Sequence, residues 1–145
     1  MKILLSVPAL LLLVTAGSAE AEEFLISYWQ GPPPSEGGFA EIAEASFNVA
    51  MCGGGKRALD LAGKNGLKVL LQDRRITAKN FRQEGFEEGL DAVVADYADH
   101  PALWGYYVTD EPNASQFENL AAINRHLLKK DPKHIPFINL FPPPP

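Results

Sequence analysis

Segments with the patterns of β-strands and α-helices alternate along this chain of 145 residues, and no other sequence feature constrains the fold as strongly. Five apolar segments have the branched and aromatic content of strands: residues 24–29, 47–52, 67–73, 103–109 and 135–141. Helical patterns lie between them: a short one after Ser35, then residues 56–65, 78–98 and 115–130. Strict alternation of strands and connecting helices predicts an α/β fold with parallel strands.

The helical patterns carry start and stop signals. The third helix, residues 78–98, is predicted to be the longest, with apolar residues recurring on one face in its second half. Gly66 is a natural stop for the second helix. Ser115 and Glu118 match a capping box, in which a hydroxyl and a carboxylate bind free amides at a helix start.

Two architectures fit this alternation. A doubly wound sheet of five strands would be complete in a chain of this length. A (β/α)8 barrel has eight units in ~250 residues, so the chain would hold about five units, the N-terminal portion of an incomplete barrel. Composition and periodicity do not choose between the two. In the barrel portion the outer strands would lack neighbours, which predicts aggregation or pairing with another chain.

The first 21 residues match a secretory signal peptide. Lys2 precedes an apolar run, and Ala19–Ala21 forms an A-x-A cleavage site. The alternative is an N-terminal membrane anchor, which is disfavoured because the run is shorter than ~20 residues and contains Pro8. We therefore expect a secreted or periplasmic protein whose domain covers residues 22–145, with no membrane attachment after cleavage.

Composition narrows the class of ligand. The formal net charge of −5 argues against nucleic-acid binding, which favours a basic face. Cys52 is the chain's one cysteine, so no intramolecular disulfide can form. Residues 53–56 are rich in glycine but lack the phosphate-loop pattern. Three histidines, His100, His126 and His134, lack metal-ligand spacing. We expect neither a metal nor a cofactor, and nothing in the sequence indicates the oligomeric state.

Two adjacent carboxylates follow the fourth predicted strand. In either architecture ligands bind at the carboxyl ends of parallel strands, where Asp110 and Glu111 lie. Partial desolvation among the aromatic residues of this strand would suit a general acid for a glycosidic oxygen. The alternative is a structural role, in which both carboxylates face the dipole of the following helix.

Residues 99–112, Asp-His-Pro-Ala-Leu-Trp-Gly-Tyr-Tyr-Val-Thr-Asp-Glu-Pro, resemble the fourth-strand region of barrel glycoside hydrolases. Residues 26–31, 47–51 and 66–71 resemble the first three strands of β-galactosidase-like and cellulase-like members of that superfamily. The resemblance covers essentially all of residues 24–141. It implies a (β/α)8 barrel, hydrolysis of O-glycosidic bonds and a carbohydrate as the substrate.

The resemblance assigns roles to the two carboxylates. In the large retaining clan the fourth strand ends in Asn-Glu-Pro with the glutamate as acid/base, which implies that role for Glu111. Asp110 stands where that clan has asparagine, and an Asp-Glu pair is similar to the substrate-assisted hexosaminidases. There the aspartate orients the acetamido group and the glutamate is the acid. The retaining alternative needs a nucleophile on a seventh strand, beyond Pro145. Since successive strand residues face opposite sides, both carboxylates serve one pocket only if the strand bulges or turns at Asp110.

Other residues at the strand ends are candidates for contacts with a sugar. Aromatic rings can stack on sugar rings, and charged or amide side chains can bind hydroxyl groups. The candidates are Tyr28, Trp29, Asp73, Arg74, Tyr107 and Asn139. For Tyr28 and Trp29 a place in the core is an equal alternative. One of residues 72–75 could bind substrate hydroxyls or pair with Glu111, and a solvated loop is favoured for at least two of them.

The sequence thus predicts an exported glycoside hydrolase-like protein that hydrolyses oligo- or polysaccharides with Glu111 as general acid/base. The chain is either such an enzyme or a truncated copy of one. The alternative is a noncatalytic protein that binds carbohydrate, or a structural barrel fragment.

Overall fold

Four parallel strands form one sheet in the computed structural model, which describes residues 24–81 and 83–141. The strands lie side by side in chain order: β1 (Val49–Cys52), β2 (Lys68–Gln72), β3 (Leu103–Asp110) and β4 (Ile135–Asn139). All three pairings are parallel. The predicted signal peptide lies outside the described residues, as do residues 142–145.

Helices connect the strands. They are α1 (Glu36–Glu44), α2 (Gly55–Lys64), α3 (Phe86–Tyr97) and α4 (Phe117–Lys130), with short 3-10 helices at Ala78–Asn80 and Ala114–Gln116. The predicted α/β class is therefore confirmed. In a doubly wound sheet the order of the strands reverses at a switch point. The described strands instead follow one another across the sheet in chain order, without a reversal. The architecture is consistent with part of a (β/α)8 barrel.

The helices cover one face of the sheet. Alternate strand residues on that face are buried in the main apolar cluster: Ala50, Cys52, Val69, Leu71, Tyr106 and Val108. Each helix contributes to the same cluster, through residues that include Phe39, Leu59, Leu90 and Ile123. Because neighbouring strand residues alternate between faces, Val49 and Leu70 face the other side, and both are buried as well. The sheet is therefore apolar on both faces, as parallel sheets usually are.

Two local signals act as the sequence predicts. The Ser35 hydroxyl caps α1 by accepting a hydrogen bond from the amide of Gly38 at 3.1 Å. Gly66 follows α2 with a φ of 73°, a left-handed conformation that glycine adopts without steric cost.

The first predicted strand, residues 24–29, is wrong: this segment is not a strand of the sheet. Asn48 holds it beside β1, since its side chain accepts from the amide of Ile26 at 2.7 Å and donates to the carbonyl of Phe24 at 2.8 Å. The amides of Asn48 and Val49 both donate to the carbonyl of Ile26. A side chain therefore takes hydrogen bonds that a strand ladder would need, and the described sheet has four strands instead of five.

The predicted helix over residues 78–98 is also wrong in its first half. Thr77 caps a 3-10 helix of three residues, and α3 begins only at Phe86. Gly85 precedes α3 with a φ of 77°, which no residue inside a right-handed helix adopts. The apolar face predicted for the second half is present: Phe86, Leu90, Val93 and Tyr97 are buried.

The capping box lies two residues earlier than predicted. The Asn113 side chain accepts from the amide of Ser115, and the Gln116 side chain accepts from the amide of Asn113. The pair Ser115–Glu118 is therefore not the box. The chain enters α4 through a 3-10 turn, which moves the first free amides toward Asn113.

The last strand is shorter than predicted. β4 ends at Asn139, and Leu140 and Phe141 beyond it are 58% and 62% exposed. β4 lies at one end of the strand order, with its first residue, Ile135, also exposed. The described helices include none that is both long and apolar enough to cross a bilayer.

A buried carboxylate links β3 to the start of β4. Asp131 accepts a hydrogen bond from the Tyr106 hydroxyl at 2.6 Å, and the same oxygen lies 2.7 Å from Nδ1 of His134. The amide of Lys133 donates to its other oxygen. Burial acts to raise the pKa of Asp131, but hydrogen bonds from Tyr106 and the nearby His134 hold it below its usual value.

We expect Tyr106→Phe to lower the free energy of unfolding by ~1.5–3 kcal/mol near neutral pH, because a buried carboxylate loses a charge-assisted hydrogen bond. Urea denaturation measures this difference. Tyr107→Phe is the matched control, since no hydrogen bond of its hydroxyl is found among the described residues.

The pH dependence of this loss follows from the depressed pKa of Asp131. Its stabilising contribution is complete above the unfolded value of about 3.9 and disappears as pH falls through the lower folded value. The gap between wild type and Tyr106→Phe should be constant from pH 7 to 5 and shrink below pH ~4. A gap that instead widens toward low pH would contradict this assignment.

Candidate functional site

An extra residue in β3 sets the geometry at the carboxyl edge of the sheet. Tyr107 pairs with Phe137, and Asp110 pairs with Asn139. Three steps along β3 therefore match two steps along β4, which is a β-bulge. Because Phe137 and Asn139 lie on one face of β4, Tyr107 and Asp110 share that face, away from the helices. The bulge lies between Tyr107 and Thr109, so it changes the position of Asp110 relative to Tyr107 and not relative to Glu111, which was the pair that the sequence argument concerned.

The chain turns sharply at Glu111. Its φ is 40°, in the left-handed region that residues other than glycine seldom adopt, and its amide donates to the carbonyl of Asn139 at 2.8 Å. Such a conformation costs of order 1–3 kcal/mol and clusters at functional sites. The expected desolvation of the carboxylates is not found, because Asp110 and Glu111 are both exposed.

Two adjoining clefts lie at this edge. The larger, of about 640 Å³, is lined by Asp73, Arg74, Lys79 and Asp110, among others. The second, of about 420 Å³, is lined by Trp29 and the loop that follows it. Gly53, Gln72 and Tyr107 line both clefts and so make them continuous. Glu111 is not among the residues that line either cleft.

Aromatic rings form a row across the sheet. The ring centroids of Trp29 and Tyr107 are 6.3 Å apart at an angle of 56°, and those of Tyr107 and Phe137 are 6.3 Å apart at 27°. Trp29 is 52% exposed, so one face of its indole is open to a ligand. Burial raises the pKa of Tyr107, and the negative charges of Asp110 and Glu111 raise it further.

Tyr28 lies apart from this row. Its ring packs edge-on against Phe47 at 5.7 Å, and it lines a small apolar recess with Ile42. Burial raises its pKa to about 12, with a contribution from nearby Cys52. The two adjacent aromatic residues therefore have different surroundings: Tyr28 packs against Phe47 and Ile42, whereas Trp29 lines the cleft.

Arg75 anchors the loop after β2. Its guanidinium binds both carboxylate oxygens of Asp73, at 2.9 and 2.7 Å, and Asp96 at 2.9 Å. It also stands over the ring of Tyr97 at 5.9 Å. Burial acts to raise the pKa of Asp73, but Arg75 holds it below its usual value. Arg75 therefore pairs with Asp73 and not with Glu111, which the sequence left open.

Asn139 contacts a carboxylate at the end of β3. Its side-chain amide donates to Oδ1 of Asp110 at 2.7 Å. This bond uses one of its two N–H donors and fixes the orientation of the Asp110 side chain. Asn139 lines neither of the two clefts, so it contacts Asp110 from outside them.

Lys79 lines the cleft although sequence reasoning did not single it out. It lies in the segment predicted as regular helix, where its side chain had no assigned direction. The 3-10 turn capped by Thr77 brings it to the carboxyl edge. Within residues 24–81 and 83–141, no three His, Cys, Asp or Glu side chains lie close enough to hold a metal ion.

No protein-family model matches the chain, and no curated protein matches it in sequence. Among solved structures, the chain is similar to a plant β-glucan endohydrolase, which is described as one of two such enzymes with distinct substrate specificities. The TM-score is 0.53 at 11% sequence identity, with 74% of this chain and 37% of that chain covered. The chain thus spans little more than a third of that structure, and the similarity is evidence for the fold alone.

We expect Arg75→Gln to raise the pKa of Asp73, because burial then acts on this carboxylate without the opposing guanidinium. Carbon-detected NMR titration of the Asp73 carboxyl measures the change. Arg74→Gln is the matched control and should produce a smaller rise, since Arg74 acts on Asp73 only through its charge. An unchanged Asp73 titration in Arg75→Gln would contradict this pairing.

Proposed function

We propose that the protein binds oligo- or polysaccharides in the joined clefts and acts as an exported glycoside hydrolase-like protein. The observation that carries the proposal is the bulge in β3. It brings Tyr107 and Asp110 to one face, beside Trp29, at the carboxyl edge where barrel enzymes hold their ligands. Aromatic, amide and charged groups therefore converge in one open groove.

The groove offers the two kinds of contact that a sugar requires. The exposed ring of Trp29 supplies a flat apolar surface for the C–H face of a pyranose. Gln72, at the junction of the clefts, and Thr109 supply amide and hydroxyl groups for the sugar hydroxyls. Two continuous clefts give room for more than one sugar unit.

Hydrolysis would begin with proton transfer from Glu111 to the glycosidic oxygen. The leaving alcohol gains this proton as the bond to the anomeric carbon breaks. Asn139 binds one oxygen of Asp110, which leaves the other oxygen able to accept the N–H of a substrate acetamido group. The acetamido oxygen would then attack the anomeric carbon, and water would later open the ring that forms.

Binding without hydrolysis is the second candidate function. It is favoured by the exposure of both carboxylates and by the position of Glu111 outside the lining of the clefts. The solved structure with the similar fold is described as a glucan endohydrolase, which supports a polysaccharide as the ligand under either candidate. Export, through residues 1–21, would place the protein where such polymers occur.

We expect Trp29→Ala to weaken the binding of oligosaccharides about 3- to 10-fold, because aromatic contacts contribute ~0.5–1.5 kcal/mol. Isothermal titration calorimetry measures this affinity. Phe117→Ala is the matched control, since Phe117 is 51% exposed but lies on α4 and lines neither cleft. Equal affinity in wild type and Trp29→Ala would place the sugar elsewhere.

We expect Glu111→Gln to lower the rate of glycoside hydrolysis by ~100-fold or more with little change in thermal unfolding, because the general acid is lost. Chromogenic N-acetylhexosaminides, galactosides and glucosides are the substrates to compare. Glu118→Gln, at the exposed start of α4, is the matched control. A rate that Glu111→Gln leaves unchanged would refute the acid assignment, and wild type that binds but hydrolyses none would favour the binding candidate.

A further inference from the structure

We infer that the cleft selects sugars with a negatively charged substituent, a carboxylate or a sulfate ester, which Arg74 and Lys79 bind. This inference rests on the proposed carbohydrate binding and names the substrate class of that same site. Both residues line the larger cleft, and both are exposed. Arg74 also lines a neighbouring cleft of about 480 Å³, so this residue lies between that cleft and the larger one.

The charges that line the cleft are unequally compensated. Asp73 is bound on both oxygens by Arg75, whose guanidinium also binds Asp96, so Asp73 already has an ion-pair partner within the loop. Asp110 accepts a hydrogen bond from Asn139. Arg74 and Lys79, in contrast, take part in no ion pair within the described part of the chain. Among the described residues that line this cleft, Arg74 and Lys79 are thus the cations without an ion-pair partner, and an anionic substituent would bind beside them and not beside the Asp110 carboxylate.

Their segment is anchored on both sides, so an anion meets groups whose backbone is already ordered. The amide of Arg75 donates to the Asp73 carboxylate at 2.9 Å, and the amide of Ile76 donates to the Asp73 carbonyl at 2.9 Å. The Thr77 hydroxyl accepts from the amide of Lys79. Ordered groups lose less entropy on binding, and a guanidinium can bind a carboxylate or sulfate through two parallel hydrogen bonds.

The cations and the catalytic carboxylates come from different elements. Arg74 and Lys79 belong to the connection after β2, whereas Asp110 and Glu111 belong to the end of β3. A sugar chain across the groove would present its charged substituent to the β2 side and its glycosidic bond to the β3 side. The protein has a net charge of −5, so attraction for an anion depends on these local cations.

The test compares three oligosaccharides of equal length by calorimetry with the full chain: an oligogalacturonate, a sulfated carrageenan fragment and a neutral cello-oligosaccharide. We expect at least one anionic ligand to bind ~10-fold more tightly than the neutral one at low salt, with the advantage falling as salt rises. Tighter binding of the oligogalacturonate would identify a carboxylate as the recognised group, and tighter binding of the carrageenan fragment would identify a sulfate ester. Arg74→Gln and Lys79→Gln should each weaken anionic binding ~5- to 20-fold and neutral binding by no more than ~2-fold, since both residues line the cleft but pair with the anionic substituent.

Arg125→Gln is the matched control, because Arg125 is exposed on α4 and lines none of these clefts. Equal affinity for anionic and neutral ligands would overturn the inference and leave carbohydrate binding intact. So would equal losses for both ligand classes in Arg74→Gln and Lys79→Gln, with thermal unfolding confirming that the variants are folded. If wild type binds none of the three, the proposed function fails together with the inference.

Discussion

β3 has hydrogen-bonded neighbours on both of its edges, and its register against them determines where Tyr107 and Asp110 lie in the candidate site. Its ladder to β2 aligns Gln72 with Tyr107, and its ladder to β4 aligns Asp110 with Asn139. The extra residue between these points turns the end of the strand, so that Tyr107 and Asp110 share one face. The burial of Tyr106 on the opposite face holds this register, because its ring and hydroxyl are enclosed by the core and bound to Asp131.

The parallel arrangement explains why the groove can be polar although the sheet is apolar. Both faces of the sheet bury apolar side chains in β1, β2 and β3, and the charged side chains of the candidate site lie at the strand ends and in the loops beyond them. Since all strands run in one direction, these ends meet at one edge. Residues from segments that are far apart in sequence, such as Trp29, Arg74 and Asp110, are therefore brought to that edge.

Periodicity predicts the elements whose stability comes from burying an apolar face, and it fails where a local hydrogen bond or a glycine decides. β1, β2, β3 and the second half of the long helical pattern bury apolar side chains and were predictable, as was β4, which is only partly buried. Residues 24–29 have a strand composition, but the side chain of Asn48 takes their hydrogen bonds. Gly85 interrupts the third helical pattern because its left-handed backbone cannot continue a helix.

The candidate site was predictable to a similar degree and for a similar reason. The place of Asp110 was predictable because the ends of buried parallel strands meet at one edge. Trp29 was assigned to the same edge as the end of a strand, although its segment is not a strand of the sheet. The bulge that brings Asp110 beside Tyr107 is a relation between two strands, and no pattern within one segment contains it. Lys79 was missed because its direction depends on a 3-10 turn that replaced a predicted helix.

Arg74 and Arg75 show how the loop after β2 divides structural and binding roles between identical neighbours. Arg75 binds two carboxylates and covers the ring of Tyr97, so its charge is neutralised and its position is fixed. Arg74 acts on the Asp73 carboxylate only through its charge, since the hydrogen bonds to both carboxylate oxygens come from the guanidinium of Arg75. The residue that anchors the loop thereby leaves its neighbour free to meet a ligand. Composition and spacing give both arginines the same weight, and only the positions of Asp73 and Asp96 in the fold tell them apart.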